Sequence, residues 1–217
     1  MVDIFACLLG IGLILIIAES LYTHKKVSIE FSRKLVHIAV GAFVAYWPWV
    51  LSWWQIRSIG ILFVIGVLVS RHFKIFQSIH NVKRTSVGEV AFAMGIILAT
   101  FIARTNWQFS LAVLMMAVAD GLAALVGSRY IKVKGQHYTI FGCTKTWAGS
   151  LTFFVASVAI LWSVTHWLVG PANGDLLYAA IIPIALLLTV IEAFSAYGVD
   201  NISVPLAAIL LTRLIIL

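Results

Sequence analysis

Two segments decide how the chain reads: Asp120-Gly-Leu-Ala-Ala-Leu-Val-Gly127 and, after a basic loop, Lys145-Thr-Trp-Ala-Gly149. The first closes a long apolar run and the second opens another, so an aspartate stands inside a stretch fit to cross a bilayer. An ionised group at the centre of a membrane helix costs about 2.5–3.5 kcal/mol on insertion scales, and such a group is retained for a purpose. The loop between the segments carries Arg129, Lys132 and Lys134. A carboxylate, several cations and flanking glycines suit a metal–polyphosphate better than a hydrophobic solute.

The rest of the chain agrees with a bilayer setting. Of 217 residues, 62% are hydrophobic and 11% charged, far below the roughly 25% charged content of soluble domains. Apolar spans fall at 2–22, 35–54, 56–70, 87–103, 107–128, 146–170, 176–195 and 202–217. The expected fold is all-α: a polytopic membrane protein with about eight transmembrane helices (seven to eight), forming a single domain over residues 1–217. No cleavable signal is evident, because the first span lacks a basic start and a small-residue cleavage site. The absence of a transit peptide leans toward a prokaryotic plasma membrane.

The net charge of +7 does not indicate nucleic-acid binding, because the cations sit in short loops between apolar runs. One side receives Lys25, Lys26, Arg33, Lys34, Arg71, Lys74, Lys83, Arg84, Arg129, Lys132, Lys134 and Lys145, twelve of the 15 Lys and Arg. The positive-inside bias puts that side in the cytoplasm and both termini outside. Trp47, Trp49, Trp53, Trp54, Trp107 and Trp167 gather on the opposite side, as an interfacial belt does. Cys7 and Cys143 form no CxxC pair and give no sign of a disulfide framework or a zinc site.

Polar residues of six separated segments converge on the cytoplasmic side. Asp120 precedes Gly127 by seven residues, which sets it roughly 10 Å below a helix end placed there. Glu89 opens the fourth span, Glu192 closes the seventh, His37 opens the second, and Asp200-Asn201 lies in the last cytoplasmic turn. Buried charges must pair or hold a ligand, so the convergence marks a site. Each piece also has a plainer explanation. Asp120 can pair with a lysine to join two helices; Ala119, Ala123 and Gly127 have the spacing of close helix packing; Lys145 can serve orientation alone. His37 by itself reads as a hydrogen-bonded structural group. Lys145-Thr146 before the sixth span makes an anion seat of a helix N-terminus, and the backbone at Gly127 is bare enough for a phosphate to approach. No Walker A loop and no GxGxxG follows a strand.

Taken in order, Arg33-Lys34-x-x-His37, Gly88-Glu89, Asp120-x-x-Ala123-x-x-x-Gly127, Lys145-Thr146-x-x-Gly149-Ser150 and Glu192-x-x-Ser195-x-x-Gly198-x-Asp200-Asn201-x-x-x-Pro205 resemble the blocks of the CTP-dependent polyprenol kinase family. That family includes dolichol kinase, phytol kinase and the yeast-type diacylglycerol kinase. The resemblance implies transfer of the γ-phosphate of CTP, or of another nucleoside triphosphate, to the hydroxyl of a lipid alcohol, with Mg²⁺ as cofactor. Membrane lipids surround the chain, and its compact length matches the phytol-kinase-like members. Within that frame Asp120 holds the metal, assisted by Asp200, Asn201 or Glu192. Lys145, Thr146, Gly127 and Gly149 cradle phosphates with Arg33 and Lys34, and Glu89, Glu192 or His37 orients the acceptor. A phospholipid cytidylyltransferase and a transporter of an anionic solute are the competing functions. The first lacks its carboxy-terminal signature here. The second expects midplane sites between repeats, and no repeat is present.

Overall fold

The computed structural model describes residues 2–24, 28–73 and 88–215. Lys25, Lys26, Lys74, Lys83 and Arg84 of the expected cytoplasmic turns lie outside the described residues, as does the side chain of Arg71. Eight long helices occupy the described residues: α1 (Val2–Thr23), α2 (Ile29–Val44), α3 (Trp53–Phe73), α4 (Gly88–Ile102), α5 (Asn106–Tyr130), α6 (Trp147–Val169), α7 (Pro171–Phe194) and α8 (Asp200–Ile215). Four of them, α1, α5, α6 and α7, are long and apolar enough to cross a membrane, and parts of α3 and α4 are shorter apolar helices. Sixteen residues each leave α2 and α8 at about 24 Å, short of a hydrocarbon core near 30 Å.

Local chemistry sets the helix ends. Ser28, Thr105 and Thr146 are N-caps whose hydroxyls accept from the backbone N–H three residues on, satisfying donors the helix itself cannot. Pro171 opens α7 after Gly170, whose φ of 78° favours glycine. The expected span 35–54 is divided instead: α2 stops at Val44, and Trp47–Trp49 forms a 3₁₀ turn around Pro48 because proline cannot donate to a continuing helix. Between α5 and α6 the basic loop contains a hairpin, β1 (His137–Ile140) paired antiparallel with β2 (Cys143–Thr146). Phe141 and Gly142 turn it, both with positive φ, as a two-residue hairpin loop requires.

Helix α5 is the hub. It is the most buried of the four long apolar helices and serves two cores. Phe109, Val113 and Met116 face α1–α4, while Leu111, Met115 and Ala119 face α6–α8. Outward surfaces of α1, α3 and α7 expose Leu9, Ile16, Ile61 and Leu186, as lipid contact allows. Of the tryptophans expected in an interfacial belt, Trp49, Trp54 and Trp167 are exposed. Trp47 is instead buried in the first core, and Trp53 packs its ring on Phe109 at 5.8 Å. Both turn inward because the 3₁₀ turn folds back over α5, where Asn106 donates to the Pro48 carbonyl.

Candidate active site

A π-turn at Met115–Ala119 precedes Asp120 within α5. There the Asp120 N–H bonds to Met115 and Ala117 rather than to Met116, four residues back. The Met116 carbonyl accepts instead from His37 Nε2 at 3.0 Å. A carbonyl only accepts, so Nε2 carries the proton. The π-turn therefore ties α5 to α2 one turn before the carboxylate, a common place for such an irregularity. Asp120 is buried, receives Lys34 Nζ at 3.0 Å, and stands 3.8 Å from His37 Nε2. Helix α5 runs on to Tyr130, so Asp120 lies about 15 Å from its end, deeper than a helix stopping at Gly127 would put it.

The other acids arrive from α7 and α8. Glu192, buried near the end of α7, takes the Lys145 ammonium on its carboxylate, and its main-chain carbonyl accepts from the same ammonium. Asp200, the first residue of α8, lies 3.8 Å from that nitrogen. Lys145 reaches inward because it sits on β2, opposite Tyr138 of β1, whose hydroxyl bonds Ser150 on α6 at 2.6 Å. Burial opposes the Lys145 ammonium, but Glu192, then Asp200 and Asp120, outweigh it and hold its pKa above the ordinary lysine value. Lys145 is thus a fixed cation at neutral pH.

Asp120, Glu192 and Asp200 can each offer a carboxylate oxygen within 4.8 Å of the others. Three carboxylates from three helices, outnumbering the two ammonium groups that touch them, form a hard oxygen donor set that suits a divalent cation. Asn201 adds to the fit. Its Nδ2 donates to the Gly88 carbonyl at 3.1 Å, while its buried Oδ1 has no partner among the described residues. A buried acceptor without a partner is what a cation or its water would satisfy. Gly95 lets this junction close, since a Cβ there would come 2.0 Å from the Asn201 carbonyl oxygen.

Gly127, Thr146 and Gly149 meet one another where α5 packs on α6. Gly127 does not end its helix. It packs on α6, where a Cβ would meet Thr146 Oγ1 at 2.7 Å and the Gly149 Cα at 3.5 Å. The Gly149 N–H is spent on Thr146 Oγ1 and the Trp147 N–H on the Gln136 carbonyl, so two amides of the expected anion seat are already used. Close helix packing needs small residues here, and the same glycines serve it. Arg33 pairs with Glu30 at 2.8 Å on the exposed side of α2. It lies within electrostatic reach of Glu89, in the first turn of α4, and of Asp120. Sequence reasoning missed the π-turn and the hairpin. The hairpin had a signal, the strand-favouring residues Tyr138, Thr139 and Ile140 before Phe141-Gly142 and Thr144 and Thr146 after it; the π-turn had none.

Known proteins resemble this chain in sequence over most of its length. The chain is 33% identical to a phytol kinase of Synechocystis sp., over 93% of this chain and 86% of that one. It is 27% identical to phytol kinase 1, chloroplastic, of Arabidopsis thaliana over 88% of this chain and 68% of that one. A probable phytol kinase, chloroplastic, of Triticum aestivum is 28% identical over 91% and 71%. No protein-family model matches the chain, and no solved structure matches it. With its buried carboxylates and lysines drawn from five elements, the chain belongs to the phytol kinase family and is a kinase with an alcohol acceptor.

Proposed function

We propose that this protein transfers the γ-phosphoryl group of CTP to the hydroxyl of phytol or a similar prenol, at the cytoplasmic face of a prokaryotic plasma membrane. The observation that supports this reading most is the meeting of Asp120, Glu192 and Asp200 with Lys34 and Lys145. Phosphoryl transfer asks the protein mainly for positioning and charge neutralisation, and this cluster contains both signs of charge in one buried place. In the reaction the acceptor oxygen bonds to the γ-phosphorus, the bond from that phosphorus to the β,γ-bridging oxygen breaks, and CDP leaves. The hydroxyl proton passes to a carboxylate or to water.

Asp120, Glu192 and Asp200, with Asn201 Oδ1, are the residues that would hold Mg²⁺, which when bound supplies charge neutralisation on the phosphate oxygens. Lys145 and Lys34 are ammonium groups that can move from carboxylate to phosphate when a triphosphate enters. Arg33, at the margin, extends the cationic surface toward the nucleotide. Glu89 and His37 are the remaining candidates for orienting the acceptor. His37 has its Nε2 proton committed to Met116, so its place in the reaction is to hold Asp120 and α5 in position. Its proton is not available for transfer.

The test is direct. Protein purified in detergent, given Mg²⁺ and γ-labelled CTP or ATP, is offered phytol, dolichol or diacylglycerol in parallel. Labelled phytyl phosphate formed best with CTP is expected. Release of pyrophosphate with a cytidylylated lipid would replace the kinase reading with nucleotidyl transfer, and no labelled lipid of any kind would remove it.

A further inference from the structure

The junction between α5 and the hairpin carries charges that the carboxylate cluster does not use. From residue 121 to residue 174 the chain has no acid, and its four cations there are Arg129, Lys132, Lys134 and Lys145. Lys145 reaches Glu192 and Asp200. The other three are exposed and form no ion pair among the described residues. Tyr130, Val133 and Trp147 are exposed beside them in the same junction. Backbone bonds hold it together: the Val133 N–H donates to the Tyr130 carbonyl, the Gln136 N–H to the Val133 carbonyl and the Trp147 N–H to the Gln136 carbonyl.

Helix length sets the depth of this junction. Twenty-five residues make α5 about 37 Å long and 23 make α6 about 34 Å. Both exceed a hydrocarbon core near 30 Å but not a bilayer with its headgroups, about 40–45 Å. Tyr130 ends the first helix and Trp147 begins the second, so the junction lies at headgroup level, where such aromatics anchor. Three cations there, with no acid to neutralise them, are complemented by anionic lipid. The junction also carries the hairpin. Tyr138 packs its ring on Trp147 at 4.7 Å and lies opposite Lys145. Tyr138, Ile140, Cys143 and Lys145 are half-buried on one face of the hairpin, while His137, Thr139 and Thr144 are exposed. We propose that Arg129, Lys132 and Lys134 bind the phosphates of anionic lipids in the leaflet on the side of the carboxylate cluster, and that this contact steadies the hairpin from which Lys145 reaches Glu192. The lipid surface stands without any reaction; its effect on turnover rests on the phosphotransfer reading above.

Lipid binding and turnover test this separately, in the wild type and in the double variant Lys132→Gln with Lys134→Gln. Native mass spectrometry counts the phosphatidylglycerol retained by detergent-purified protein as that lipid is titrated, with phosphatidylcholine as the neutral reference. Each cation near an anionic surface favours binding about fivefold, so the double variant should need about ten times more phosphatidylglycerol, or beyond, for equal retention. Retention of phosphatidylglycerol by the two proteins at equal concentrations overturns the surface. In vesicles, the wild type should phosphorylate phytol with a kcat severalfold higher when phosphatidylglycerol is mixed equally with phosphatidylcholine than in phosphatidylcholine alone. The double variant should lose that rise and keep the wild-type KM for CTP. A wild-type kcat indifferent to phosphatidylglycerol overturns the effect on the hairpin. A raised KM for CTP in the double variant, in vesicles of phosphatidylcholine alone, assigns these cations to the nucleotide and overturns the proposal. If no prenol accepts phosphate in any vesicle, the phosphotransfer reading falls, and lipid retention alone decides the surface.

Discussion

Around Asp120, five ionisable side chains from α2, α5, β2, α7 and α8 meet; two turns further along the same helix, Gly127 meets Gly149 with no side chain between them. Both places belong to the same short stretch of sequence, and both join α5 to its neighbours. The first is held by charges that few membrane interiors retain without function, the second by the smallest residues available. The difference teaches that proximity in a signature stretch does not mean a shared task. On the proposed reading the charged residues carry the chemistry, while Gly127 and Gly149 let α5 and α6 pack closely.

Substitutions can separate the two tasks. Asp120→Asn keeps the shape and removes the charge; it should lower phosphoryl transfer by about 10³-fold, equivalent to about 4 kcal/mol, with the thermal midpoint changed little in a detergent melting assay. Lys145→Met should lose a similar activity and also stability, because it strands Glu192 in a buried place. Breaking one side of a buried ion pair costs about 3–5 kcal/mol, and the double variant Lys145→Met with Glu192→Leu should recover part of that stability and none of the activity. Gly127→Ala should do the reverse. Its Cβ would press on Thr146 Oγ1, lowering stability by about 1–3 kcal/mol as overpacking does, while the folded fraction keeps most of its specific activity. Thr146→Ala, which removes only the α6 cap, should cost about 1 kcal/mol and leave nucleotide affinity near its starting value. If Gly127→Ala or Thr146→Ala instead raised the nucleotide KM strongly at unchanged stability, those residues would belong to a phosphate cradle and the division drawn here would fail.

Much of this was readable from the residues alone, for identifiable reasons. Long apolar runs and cation-rich turns do not depend on tertiary context, so the helical class and the gathering of Asp120, Lys145, Glu192 and Asp200 at one end were legible. Local geometry was less so. Whether Gly127 ended its helix depended on Tyr130 and on packing across to Gly149, and neither has a sequence signature. Trp47 looks like any interfacial tryptophan until Pro48 turns the chain inward. The partner of Lys34 was equally hidden, since a lysine near a membrane face serves orientation, phosphate or carboxylate with the same sequence. Only the distance to Asp120 shows that it is paired within the cluster.

The central claim, that the Asp120–Glu192–Asp200 cluster is where phosphate is transferred, is tested most directly by one comparison. Purified wild type and Asp120→Asn proteins, matched for folding by their melting curves, are given labelled CTP, Mg²⁺ and phytol, and phytyl phosphate is counted over time. The wild type should accumulate labelled product while the variant stays at background. Equal rates from the two proteins would contradict the account.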